Sequence, residues 1–170
     1  MPRNVLFLCT ANSARSILAE AILAARGGTR FAAFSAGSQP RGVPNPRALE
    51  LLAAKGHDVG GLASKSWDVF AGPSAPVMDL VITVCDNAKA EVCPIWPMNA
   101  RGHPVQGHWG IPDPAGHGSD GALADFELAY QRLAARIEAL LALDEDAMEP
   151  RAWRDAVTRI GREMEGATHG

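Results

Sequence analysis

The feature that most constrains the fold is a succession of short, almost wholly apolar runs, each followed by a helical pattern. The run from Arg3 to Cys9 contains Val5-Leu6-Phe7-Leu8 with no polar alternation. It therefore reads as a strand buried on both faces, the signature of a covered parallel sheet. Asp79 to Val84 reads the same way, Phe31 to Phe34 is a second short strand closed by Ser35-Ala36-Gly37-Ser38, and Val105 to His108 a fourth. Between strands, Ile17, Leu18, Ala21, Ile22 and Ala25 recur at helical spacing until Gly27-Gly28. Asn45-Pro46 is an N-cap with proline at the first helical position. Leu49, Leu52 and Ala53 are the expected apolar face of that helix, Gly56 its stop, and Ser66 to Phe70 a short helical turn. A long amphipathic helix is predicted from about Leu123 to Leu143, with Phe126, Tyr130, Leu133, Ile137 and Leu140 as its stripe. After an acidic break at Asp144–Asp146, Pro150 to about Met164 reads as a last helix. Its face of Trp153, Val157 and Ile160 is most simply core or dimer packing.

Strands alternating with helices predict an α/β domain: a central four-stranded parallel sheet with helices on both faces. A chain of 170 residues suits one such domain. Residues 1–143 are expected to form it, with 144–170 a C-terminal helical extension packed on the same domain.

Net charge is −3, so nothing draws this chain generally to nucleic acid or to an anionic membrane, and an anionic substrate needs a local positive site. No apolar run approaches the roughly 20 residues of a membrane span. Val5 to Leu8 is too short for the core of a secretory signal. The expected location is the cytoplasm. Three cysteines in such a chain argue against a disulfide framework. Composition alone is satisfied by three reduced, partly buried thiols.

Their positions say more. In parallel sheets ligands bind beyond the carboxyl ends of strands. Cys9 and Cys85 each directly follow an apolar strand, so both thiols are expected at one crevice. Residues 9–16 read Cys-Thr-Ala-Asn-Ser-Ala-Arg-Ser between a strand and a helix. Such a loop suits a tetrahedral oxyanion. Backbone N–H groups of Thr10, Ala11, Asn12, Ser13, Ala14 and Arg15 can point inward as a nest, and the helix start adds its unpaired N–H groups. Arg15 can clamp two oxygens at once, which lysine cannot. Asn12 suits a left-handed position in the loop. The same field favours a thiolate at Cys9, below the free value of about 8.5, and Ser16 can donate to it. The plain alternative is a buried strand-end thiol beside a surface arginine.

The loop resembles that of the low-molecular-weight protein tyrosine phosphatases and of the arsenate reductases that share their fold. The likeness continues through Arg15-Ser16-x-x-Ala19-Glu20, Ser35-Ala36-Gly37-Ser38 and Asn45-Pro46-x-Ala48-Leu49, and covers about residues 3–143. The run Val84-Cys85-Asp86-Asn87-Ala88-Lys89-Ala90-Glu91-Val92-Cys93-Pro94 resembles the redox segment of the thioredoxin-coupled reductases, with one residue more between its cysteines. His108-Trp109-Gly110-Ile111-Pro112-Asp113-Pro114-Ala115 resembles the family's acid loop, and its prolines stiffen the carboxylate's approach.

The resemblance implies arsenate reduction: Cys9 as nucleophile, Asp113 as general acid, then Cys85 and Cys93 as a thiol relay. It implies arsenate as substrate, phosphate and sulfate as competitors, no bound cofactor, and an external thiol reductant such as thioredoxin or a related dithiol protein. Other readings stay open on the residues alone. Phosphate-monoester hydrolysis needs only Cys9, Arg15 and Asp113, and an oxyanion sensor needs less. Cys85 and Cys93 as zinc ligands lack a second pair or Cys-x2-Cys spacing, and they are otherwise inert thiols. Asp113 is otherwise a turn residue. His57, His103, His108, His117 and His169 lack ligand spacing and read as surface or loop residues, His108 near the acid loop. Ser64-Lys65-Ser66 stands where some of these reductases help hold potassium through an aspartate. Asn12, Glu20 and Ser35 match that site, but with Lys65 in place no metal is predicted.

Overall fold

Strand β1 (Arg3–Leu8) is the centre of the molecule because alternate residues enter two cores. Val5 and Phe7 join one cluster, Leu6 and Leu8 the other, and all four are fully buried. The structure is a computed structural model that describes residues 3–72, 74–84, 96, 103–111, 123–144 and 147–168, with the side chains of 150 and 163–168 outside that set. Cys85, Cys93 and Asp113 lie outside the described residues, as do His117 and His169.

Strands β2 (Phe31–Ala36), β3 (Leu80–Thr83) and β4 (Val105–His108) join β1 in one parallel sheet, in the order β2-β1-β3-β4. The first cluster receives helices α1 (Arg15–Arg26), α2 (Pro46–Ala54), α3 (Leu123–Leu141) and α4 (Pro150–Thr168). The other face packs Leu6, Leu8 and Val81 against Met78, Trp96 and Phe70, the last from a 3-10 turn at Trp67–Phe70. Each fully buried large apolar side chain contributes roughly 1.5–3 kcal/mol.

Two apolar faces differ from expectation. In α1, Ala25 is exposed, and in α2 the inward residues are Ala48, Leu51 and Leu52, with Leu49 half-buried and Ala53 exposed. The start of α2 is the expected one, with Asn45 Oδ1 accepting from Arg47 N at 2.8 Å and the helix beginning at Pro46, and packing into the main core selects the inward side. At 3.6 residues per turn, 48, 51 and 52 then share one face. Helix α4 runs beyond the expected Met164, and its Trp153, Val157 and Ile160 enter the main core.

Candidate active site

Cys9 follows directly on β1, is buried, and its N–H donates to Ala36 O at 3.2 Å. The loop that follows is held from outside through its carbonyls. Thr10 O accepts from Gln39 N at 2.9 Å, Ala11 O from Arg41 N at 3.0 Å, and Ser13 O from Asn45 N at 2.7 Å. Ser64 Oγ also donates to Ala11 O, at 3.1 Å. Peptide planarity turns the N–H of Ala11, Asn12 and Ala14 away from those partners. That is the polarity a nest of N–H groups requires. Helix α1 opens at the end of the loop with no side-chain cap on Ala14 and no acidic residue in its first turn.

Asn12 makes the bend. Its φ is 44°, a left-handed position that asparagine tolerates better than most residues. The side chain is fully buried. Its amide donates to Ser16 Oγ at 2.8 Å and to Ser35 Oγ at 3.0 Å, and its Oδ1 accepts from Lys65 N at 2.7 Å. Ser35 in turn donates to Glu20 Oε1 at 2.5 Å, and Lys65 Nζ lies 3.9 Å from that oxygen. Burial pushes the Glu20 carboxyl above its ordinary value, although the Ser35 bond and Lys65 pull it down. Burial likewise pushes Lys65 down against the pull of Glu20. Lys65 thus stands beside Glu20, in the cluster that Asn12 and Ser35 form. Among the described residues no group of three or more acidic, His or Cys side chains could hold a metal ion.

Arg15, the first residue of α1, crosses to the far side of the crevice, where its Nη1 donates to Ile111 O at 2.9 Å. Ile111 N donates to Val84 O at 3.1 Å, so the segment leading to Asp113 is tied to the end of β3. Cys9, Arg15, Ser16 and Asn12 therefore meet at one place, together with the ends of β3 and β4. His108 Nδ1 is 2.7 Å from Thr83 Oγ1, and His57 Nε2 is 2.7 Å from Tyr130 Oη, in the α3 contact.

Three contributors escape sequence reasoning. Ile111 acts through its carbonyl, which leaves no side-chain signal. Ser64 acts on a distant carbonyl, 53 residues away. Gly37 had a signal, a glycine closing a strand. A Cβ there would stand 2.4 Å from both Cys9 O and Thr10 O, so only glycine lets β2 end against the loop.

Comparison with known proteins places this architecture. Residues 4–149 match the model of the family described as low molecular weight phosphotyrosine protein phosphatase. An arsenate reductase of Brevibacillus brevis is 35% identical over 136 residues, 80% of this chain and 92% of that protein. The solved thioredoxin-dependent arsenate reductase of Corynebacterium glutamicum superposes with a TM-score of 0.58 at 26% identity over 82% of this chain, which spans 60% of that longer chain. A low molecular weight protein tyrosine phosphatase from T. tengcongensis shares the fold, with a TM-score of 0.59 at 24% identity over 82% of this chain and 97% of that one. No described helix is long and apolar enough to cross a membrane. The chain belongs to the low molecular weight phosphotyrosine protein phosphatase family, and within it groups with the arsenate reductases.

Proposed function

We propose that this chain reduces arsenate to arsenite, with Cys9 as nucleophile and the 9–16 loop as oxyanion cradle. The observation that carries the reading is the loop's polarity: carbonyls of Thr10, Ala11 and Ser13 tied outward, Asn12 at a positive φ, and α1 opening uncapped beside Arg15. Backbone N–H groups from Thr10 to Arg15 then meet the oxygens, and the Arg15 fork adds a charge-assisted clamp. Ser16 Oγ, which accepts from Asn12, has its own hydrogen to give to the Cys9 thiolate.

The Cys9 thiolate attacks arsenic and forms a sulfur–arsenic bond while Asp113 protonates the departing oxygen, which leaves as water. Cys85 then attacks Cys9 Sγ. The sulfur–arsenic bond breaks, its electron pair stays on arsenic, arsenite leaves and a Cys9–Cys85 disulfide remains. Cys93 attacks Cys85, frees Cys9, and the Cys85–Cys93 disulfide is reduced by an external dithiol protein of the thioredoxin kind. Register supports the first exchange. Leu8 pairs with Thr83 and Val84 N donates to Leu8 O at 2.9 Å, so Val84, the residue that precedes Cys85 in the sequence, ends its strand beside the end of β1 that carries Cys9. Val84, the residue before Cys85 in the sequence, is buried, and so is Trp96, three residues after Cys93.

Residues 1–143 are read as the catalytic domain, 144–170 as its helical extension, and the cytoplasm as the compartment that supplies the reductant. One experiment decides the reaction. NADPH oxidation is followed with arsenate, thioredoxin and thioredoxin reductase, with p-nitrophenyl phosphate hydrolysis in parallel. Arsenate-dependent oxidation supports the reading. Phosphate release without it identifies a phosphatase.

A further inference from the structure

The family match stops at residue 149, one residue before α4 begins. Helix α4 nevertheless reaches the crevice. It lies against β4 through two glycines: a Cβ on Gly107 would stand 2.7 Å from Val157 Cγ1, and one on Gly161 would stand 2.4 Å from His108 O and 2.9 Å from Trp109 Cδ1. At Gly161 the helix backbone therefore lies directly against the strand-end backbone of His108, while at Gly107 the strand backbone receives the Val157 side chain. Beside that contact Trp109, fully buried and packed near Phe7, donates from Nε1 to the α4 carbonyl Val157 O at 3.1 Å.

Residues 109 and 111 are also tied to the end of β3. Trp109 N donates to Thr83 O at 2.8 Å and Ile111 N to Val84 O at 3.1 Å. Two backbone bonds along one strand edge do not by themselves fix the tilt of the segment about that edge. The contact with α4 supplies a third, off-axis point and removes the tilt. What the tilt would move is the Ile111 carbonyl, and that carbonyl accepts from Arg15 Nη1 at 2.9 Å. A guanidinium is rigid and planar, so fixing one corner sets the direction of the rest of the fork.

We propose that α4 is a positioning element of the oxyanion site: through Trp109 and Gly161 it sets the Ile111 carbonyl that aims Arg15 into the loop. The proposal rests on the reading of residues 9–16 as an oxyanion cradle. Trp109 and Gly161 are positioning residues and touch no substrate. The segment they set also leads into Asp113, two residues beyond Ile111.

The test measures how inorganic phosphate protects Cys9 from iodoacetamide, which needs neither arsenate nor reductant. Trp109→Phe keeps a large ring but loses the N–H, and Gly161→Ala forces the helix off the strand end. Both are expected to raise the half-protecting phosphate concentration about tenfold, the scale of a misplaced charge-assisted contact. Trp153→Phe, on the same helix but stacked against Arg3, is the control. Matched for melting temperature, it is expected to shift protection less than about twofold. In an Arg15→Ala background, Trp109→Phe should have no further effect. Where Gly161→Ala does not fold, Trp109→Phe alone decides. Wild-type-like protection in Trp109→Phe overturns the proposal, as does an equal effect with Arg15 already removed. No phosphate protection in the wild type sinks the cradle itself, and this proposal with it. Arsenate turnover absent but protection intact fails only the assignment of the reaction.

Discussion

The side-chain amide of Asn12 donates to Ser35 Oγ at 3.0 Å, which joins the loop after β1 to the end of β2. The bond sits under a backbone that turns left-handed at Asn12. Asn12→Ala and Asn12→Gly lose the same three side-chain bonds, but only alanine carries a Cβ at φ 44°. Asn12→Ala is therefore expected to be less stable than Asn12→Gly by roughly 1 kcal/mol in urea unfolding. The reverse order would show that the left-handed bend is unimportant to the loop.

Gly37→Ala tests the same junction from the other strand. Its Cβ would meet two backbone oxygens, Cys9 O and Thr10 O, that cannot rotate away. An overpacking cost of about 1–3 kcal/mol is expected. Cys9 alkylation should also lose part of its protection by phosphate. A variant of wild-type stability and protection would mean the loop and β2 move apart freely.

Glu20 gives a pH signature. Its carboxyl is raised above its ordinary value, chiefly by burial. A raised carboxyl binds its proton more tightly in the folded state. Its contribution to stability is full below the unfolded value and is lost as pH rises through the higher folded value. Glu20→Gln keeps an acceptor for Ser35 and removes this dependence. Between the ordinary carboxyl value and the raised one, wild type should lose stability relative to Glu20→Gln as pH increases. Lys65, lowered by burial, acts at the alkaline end, where its contribution is lost as pH falls through its folded value. Urea midpoints measured across the acid range check the sign, and a pH-independent difference between the two proteins would rule it out.

Arg15→Lys keeps the charge and loses the planar fork, one corner of which donates to Ile111 O. Turnover is expected to fall at least ~10²-fold, as for loss of a preorganised transition-state contact. Near-normal turnover would place the oxyanion elsewhere.

Cys93→Ser is expected to complete one turnover with arsenate and stop as a Cys9–Cys85 disulfide, visible by peptide mapping. The Cys85–Cys93 disulfide needs Cα atoms within about 7 Å. A regular helix over residues 85–93 would hold them about 12 Å apart, so formation of this bond excludes an intact helix there. Continued turnover with thioredoxin in Cys93→Ser would end the relay at Cys85.

The parallel sheet was legible in the chain because β1 and β3 are buried on both faces, and such strands are apolar at nearly every position. Cys9, Asn12 and Arg15 stood out in the chain because they fall within one strand–loop–helix, where spacing dictates local geometry, although Asn12 and Arg15 also bond to distant segments. The inward face of α2 was not legible, because 49, 52 and 53 satisfy helical spacing as well as 48, 51 and 52 do, and only contact with the main core chooses between them. Nor were the parts that act across the molecule. The Ile111 carbonyl, the Ser64 hydroxyl and the grip of Trp109 on Val157 act at separations of 96, 53 and 48 residues. Backbone acceptors carry no residue signature, and the meaning of Gly161 appears only where His108 O comes within 2.4 Å of its missing Cβ. Local sequence determined what the loop is made of. Tertiary packing decided what holds it in shape, because contacts between distant segments depend on how the sheet brings their ends together.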